Sequence, residues 1–448
     1  MPHSFRFSSF SKLLFSGAAL LWSSGLCAQR PTHFTCGAAR GGATRLTLST
    51  TFPASPDVST GFGFDLGLVP EDFANGACSS RKPFFFSVAV PDGNYVVTVV
   101  LGGKQASTTT LRAESRRLLL DEQTVPAGGS KTEAFALNVR TPPIAGLSDA
   151  RSGMPAQVHL KPRELGALDW DAKLTLEFNG EHPSVRSITV APAPGVPTLY
   201  LAGDSTVVDQ DKEPWAAWGQ MLPMFFKPAL AVSNQAESGE TIKSFQGERR
   251  FDKIFSTIRP GDFLMIQFAH NDQKPGSGFV PAHTEFKDLL NKYIDLARKH
   301  GATPILVTAM NRRAFDEAGQ IRQTLGDYPQ VMREVAAQDK VALIDLNAQS
   351  RILFEAMGPE GTLQAFVHYP ANTFPGQDKP LADDTHFNSY GAYELARIIV
   401  QSIEDQHLAL AKYLRPHLPR FNPAAPDNPA AFHLPASPSV DLQKPYER

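Results

Sequence analysis

The chain has 448 residues, 42% of them hydrophobic and 20% charged, and a formal net charge of −2. That length predicts two domains with sizeable cores rather than one. The near-neutral charge, with no long basic run, excludes an electrostatic footprint for nucleic acid.

Residues 1–28 read as an export signal. Arg6 and Lys12 form a basic flank, Leu13 to Leu26 an apolar stretch, and Leu26-Cys27-Ala28 a cleavage site before Gln29. Ser16, Gly17, Ser23, Ser24 and Gly25 break the stretch, which is short for a membrane span. Leu26 is not the small residue expected before a lipid-modified cysteine. The mature chain is therefore expected to be secreted, extracellular or periplasmic, with no membrane partner after cleavage. Cys36 and Cys78 are the thiols left, and in an oxidising compartment an isolated pair is expected to bridge. No Cys-x-x-Cys and no histidine at ligand spacing supports a zinc site.

Residues 29–190 read as all-β. Short β-rich runs (84–90, 95–100, 118–120, 134–139, 174–178) are separated by turn material such as Pro91-Asp92-Gly93-Asn94, the spacing of a sandwich. Phe62-Gly63-Phe64-Asp65-Leu66-Gly67 resembles the entry of the galactose-binding-like jelly-roll domains found beside carbohydrate-active enzymes. Residues 191–196, Ala-Pro-Ala-Pro-Gly-Val, form a linker. From 197 to 415, strand-like runs (197–202, 263–268, 304–308, 341–346) alternate with helical stretches (285–300, 391–404), which predicts an α/β domain with a parallel sheet. Residues 416–448 are proline-rich and predict an extended tail, wrapped on the body or mobile.

Chemistry concentrates in the α/β part. Gly203-Asp204-Ser205 follows an apolar strand, and its glycine allows a sharp turn that leaves a serine at the strand's carboxyl edge. Asp383-Asp384-Thr385-His386, ahead of a helical segment, supplies a base and a carboxylate to orient it, Asp383 or Asp384. Asn234 to Thr241 and Ala269-His270-Asn271-Asp272 place further polar groups at strand ends. The Ser205 and Gly239 N–H groups and the Asn271 amide could serve a developing oxyanion. Asp272 reads as a cap or structural hydrogen-bonder, and His270 as either loop packing or a substrate contact. Trp215 and Trp218 have core spacing or could stack on a sugar. Arg312 and Arg313 sit at another strand end, placed for a substrate carboxylate or for a salt bridge with Asp316 or Glu317.

These blocks together resemble those of the SGNH (GDSL-type) hydrolases. Within them the closest similarity is to the rhamnogalacturonan acetylesterases, carried by 202–207 (AGDSTV), 215–219 (WAAWG), 269–274 (AHNDQK) and 385–388 (THFN) and covering about 197–410. The resemblance implies a flavodoxin-like hydrolase fold, with Ser205 as nucleophile, His386 as base, Asp383 as its orienting carboxylate, and Ser205, Gly239 and Asn271 as the oxyanion hole. It implies an acetyl-enzyme, no metal or cofactor, and an acetylated polysaccharide, the rhamnogalacturonan of pectin, as substrate of a monomer. Many relatives read Gly-x-Asn-Asp where Ala269 stands. Alternatives are an esterase for xylan or other acylated glycans, or a non-catalytic carbohydrate-binding protein. A lipase with a mid-chain Gly-x-Ser-x-Gly elbow is disfavoured. The β-rich region is expected either to bind glycan or to shape a wall of the site.

Overall fold

A computed structural model describes residues 1, 30–53, 61–73 and 76–445. The expected export signal and Cys27 lie outside the described residues.

The N-terminal region is two antiparallel sheets packed face to face. One contains Gly93–Leu101 between Lys131–Val139 and Ser184–Pro192, with Thr32–Thr35 beyond. The other has five strands in the order Phe62–Asp65, Phe84–Ala89, Lys173–Asn179, Ser107–Ala113, Arg117–Val125. Inward residues alternate with outward ones, so Val97, Val99 and Leu101 face Phe84, Phe86, Leu174, Leu176 and Phe178 across a shared core. Ser107–Ala113 and Ser184–Pro192 escape the sequence reading because Thr, Ser and Arg dilute their apolar pattern. Cys36 and Cys78 are joined in a disulfide with Cα atoms 5.4 Å apart. It closes a loop across 42 positions, so replacing both cysteines by serine is expected to cost about 2–4 kcal/mol, read as a lower denaturation midpoint.

Ala191 and Pro192 are not linker. They pair with Val96 and Tyr95 in the strand Ser184–Pro192, and only residues 193–197 separate it from Thr198. Five parallel strands follow, arranged Ala231–Asn234, Thr198–Gly203, Phe263–Gln267, Thr303–Val307, Ala342–Ile344. Numbered along this part of the chain the order is 2-1-3-4-5, a doubly wound sheet whose order reverses beside the first strand. Thr198–Gly203 is buried throughout and largely apolar because both its faces are covered. Leu199 and Leu201 pack with Trp218, Leu395 and Ile399 on one side, while Tyr200 and Ala202 pack with Phe251, Leu290 and Val331 on the other. The helix Ser389–Asp405 begins at Asn388, whose side chain accepts from Gly391 N–H.

The two regions share a sheet. Val232 pairs in parallel with Leu137, which joins the hydrolase strands to the sandwich in one sheet of eleven strands among the described residues. The buried pairs Arg117–Asp209 and Arg116–Glu213 add a second junction. The proline-rich tail is wrapped on the body: Arg112 and Asn179 donate to the carbonyls of Pro435 and Ala436, and Ser437 Oγ to Glu177. No helix among the described residues is long and apolar enough to cross a membrane.

Candidate active site

Gly203 ends its strand at a place where no side chain fits: a Cβ would lie 2.5 Å from Val207 Cγ2 and 3.1 Å from the Gln267 carbonyl oxygen. The chain turns there, with Val207 and Val208 N–H donating to the Asp204 carbonyl at 3.0 and 3.1 Å. Asp204 Oδ1 accepts from Thr206 N–H and Oγ1, which fixes the turn and presents Ser205 beside the point where the strand order reverses.

Ser205 Oγ is 2.9 Å from His386 Nε2, and His386 Nδ1 is 2.8 Å from Asp383 Oδ2. Asp383 and His386 lie in Leu381–Phe387, whose ladder with Phe366–Tyr369 breaks between Asp383 and Phe387, so that residues 384–386 bulge out of it. Asp383 Oδ1 accepts the N–H groups of Thr385 and His386 at 2.8 and 3.0 Å. Burial pushes its carboxyl up, but the His386 ring and these two N–H groups outweigh that and hold it down at about 2. Asp384 points the other way, half-exposed, and pairs with Arg313 and His368 at 3.1 and 2.9 Å. Of two adjacent carboxylates, one is thus buried against the imidazole and the other faces solvent. A hydroxyl, an imidazole and a carboxylate in this chain can move a proton off the serine and hold the resulting imidazolium.

Beside the serine, Gly239 adopts φ +79°, the left-handed region that disfavours a Cβ. Asn271 Nδ2 donates to the Glu240 carbonyl at 3.0 Å, which leaves its second amide hydrogen unspent. Gln210 Nε2 reaches the Ser205 carbonyl at 2.9 Å and Ser238 Oγ at 3.4 Å, tying the serine turn to the Gly239 loop. Ala269 is fully buried and leaves Asn271 on its partner. Asp272 Oδ1 accepts from Ile242 N–H at the start of the helix Ile242–Gly247, the capping role expected of it.

His270, one of the candidate substrate contacts, instead lies beneath the serine turn. It is 2% exposed, with Nδ1 3.4 Å from Asp204 Oδ2; burial lowers its pKa against the pull of Asp204. Arg312 donates to the His270 carbonyl at 3.1 Å and to Thr324, so it braces that loop. Arg313 is bound to Asp384 and the Pro359 carbonyl, not to Asp316 or Glu317. Trp218 is core, its indole N–H on Gln267. Trp215 sets its ring edge-on to His386 with centroids 6.0 Å apart, and its N–H donates to the Asp441 carbonyl of the tail. Among the described residues no group of three His, Cys, Asp or Glu side chains is placed to hold a metal ion.

The model of the GDSL-like lipase/acylhydrolase family matches residues 201–393. Rhamnogalacturonan acetylesterase RhgT of Bacillus subtilis strain 168 is 42% identical over 218 residues, 48% of this chain and 93% of RhgT. The chain belongs to the GDSL-type hydrolases. The uncharacterized esterase YxiM of the same organism is 29% identical over 373 residues, 79% of this chain and 86% of its own. The crystal structure of YxiM aligns with 85% of this chain and 99% of that one, at 24% identity and a TM-score of 0.45.

This GDSL-type protein is a carboxylic ester hydrolase similar to rhamnogalacturonan acetylesterases. A cleft of about 830 Å³, lined by none of Ser205, His386 and Asp383, is built by three parts of the chain: Lys161, Arg163 and Asp169 from the sandwich, Asp211, Trp215 and Glu237 from the hydrolase, and Gln443 and Lys444 from the tail. Trp215 and Lys444 join it to the site, since Lys444 Nζ is 3.5 Å from Asp383 Oδ2. Sequence reasoning missed Lys161, Gln210 and Lys444. Lys161 and Lys444 meet residues far along the chain, and Gln210, five positions after Ser205, belongs to none of the motifs.

Proposed function

We propose that this esterase is exported and removes acetyl groups from the rhamnogalacturonan of pectin, with Ser205 as nucleophile. The single observation that carries the chemistry is the hydrogen-bonded chain Ser205–His386–Asp383. Ser205 Oγ attacks the acetyl carbonyl carbon as its proton passes to His386 Nε2, and Asp383 stabilises the imidazolium. Negative charge on the carbonyl oxygen is met by the N–H groups of Ser205 and Gly239 and the Asn271 amide. As the tetrahedral species collapses, the C–O bond to the sugar breaks and His386 returns the proton to the leaving sugar hydroxyl. A water then attacks the acetyl-enzyme, its proton goes to His386, and acetate leaves as Ser205 Oγ is reprotonated.

The identity with RhgT over 93% of that protein supports rhamnogalacturonan as the substrate. The N-terminal basic and apolar segment and the Cys36–Cys78 bridge support export. Acetate release from acetylated rhamnogalacturonan, acetylated xylan and an acetylated aryl ester tests the substrate. The pectin fragment is expected to give a kcat/KM at least about tenfold above xylan, a difference of about 1.4 kcal/mol in transition-state binding. Preference for xylan would overturn the substrate and leave the serine chemistry standing.

A further inference from the structure

The loop that carries Gly239 is held from outside the hydrolase part of the chain. Lys161 lies between two strands of the sandwich region, 77 positions before Ser238. Its Nζ donates to the Ser238 carbonyl at 2.9 Å and pairs with the Glu240 carboxylate. Two residues on, Arg163 pairs with Glu237. Lys161 is itself held, because its backbone N–H donates to Glu164 Oε2 at 2.8 Å and Glu164 is locked to the buried Arg250.

Two physical consequences follow from this arrangement. The Ser238 carbonyl and the Gly239 N–H belong to one planar peptide unit, so fixing the oxygen at one end aims the N–H at the other. Donation to that oxygen by a cation also polarises the peptide and strengthens the N–H as a donor. Glycine at 239 would otherwise leave this peptide free to swing. The second consequence is electrostatic. Glu237 and Glu240 flank the loop with their side chains almost wholly buried, and negative charge there opposes an oxyanion. Burial pushes Glu237 up to about 8 and Glu240 up to about 7, against the pull of Arg163 and Lys161, so their charge near neutral pH is partial and the two cations offset what remains.

We propose that Lys161 is a positioning residue for the oxyanion hole: through the Ser238–Gly239 peptide it aims the Gly239 N–H, so the hydrolase site is completed by the sandwich region. This rests on the reading of Gly239 as an oxyanion donor. The test uses the full chain with Lys161→Met and Lys161→Gln. A serine-directed organophosphorus probe, run to completion, counts competent sites, and p-nitrophenyl acetate hydrolysis is then expressed per labelled site. Lys161→Met is expected to lower kcat per site by about 10–100-fold with KM within about twofold, because the hole acts in the transition state. Lys161→Gln keeps a neutral donor for the Ser238 carbonyl and is expected to fall between Lys161→Met and wild type. If Lys161→Met yields no labelled sites, Lys161→Gln decides alone, a fall in kcat per site of at least about threefold supporting the clamp. A kcat per site equal to wild type, or a loss confined to KM, overturns it. Activity in Ser205→Ala would instead overturn the serine reading itself.

Discussion

Ser205→Ala is expected to lose acetate release almost entirely, with kcat falling on the order of 10⁶-fold. The hydroxyl is paired with His386 Nε2 at 2.9 Å, and no second described hydroxyl is hydrogen-bonded to that nitrogen to replace it. The turn around it does not depend on that hydroxyl. It is held by the Asp204 carbonyl, the Asp204 carboxylate and the Gln210 amide on the Ser205 carbonyl. The alanine variant is therefore expected to melt like wild type while losing both turnover and labelling by the organophosphorus probe. Residual activity above about a thousandth of wild type, beyond what an oxyanion hole and binding alone supply, would remove Ser205 from the nucleophile's role.

Asp383→Asn is expected to cost about 10⁴-fold in kcat near neutral pH through the histidine's tautomer. Asp383 Oδ1 accepts two backbone N–H groups, so an asparagine must place its oxygen there and turn its NH2 toward His386 Nδ1. Nδ1 then accepts, the ring proton moves to Nε2, and Nε2 can no longer take the serine proton. The same residue gives a pH signature. Its folded pKa of about 2 lies below the ordinary 3.8, so folding favours the ionised form. That contributes about 2 kcal/mol, fully present above about pH 4 and lost as pH falls through about 2. Asp383→Asn lacks this contribution, so its denaturation midpoint is expected to fall less steeply than that of wild type across pH 4 to 2. Parallel midpoints for the two proteins over that range would contradict the assignment.

Much of the hydrolase part was legible because its strands are covered on both faces. Phe263–Gln267 and Thr303–Val307 are short, largely apolar runs, and their length and the turn and helix signals that bound them favour buried strands over buried helix. The sandwich was less legible. The tail covers part of the outer face of its five-stranded sheet, so Arg112, Glu177 and Asn179 are buried and the usual alternation is lost. The linker extended into a strand for a related reason: prolines 192 and 194 mark a break in composition, but Pro192 is the last strand residue.

At the site, the sequence by itself determined what depends on local spacing. Asp383 and His386 are three apart and touch where the chain bulges and turns back on the Asp383 carboxylate, and Gly203 fits the sharp turn before Ser205. Its motifs also named Gly239 and Asn271 as candidates at neighbouring strand ends. Only the tertiary structure decided what surrounds them. It turned Asp384 outward to Arg313, put His270 beneath the turn and Trp215 against the imidazole, and brought Lys161 from the sandwich region and Lys444 from the tail to the serine's neighbourhood. The reason is that these contacts are set by packing between distant elements. A lysine's charge in the sequence carries no information about which buried carboxylate will need it.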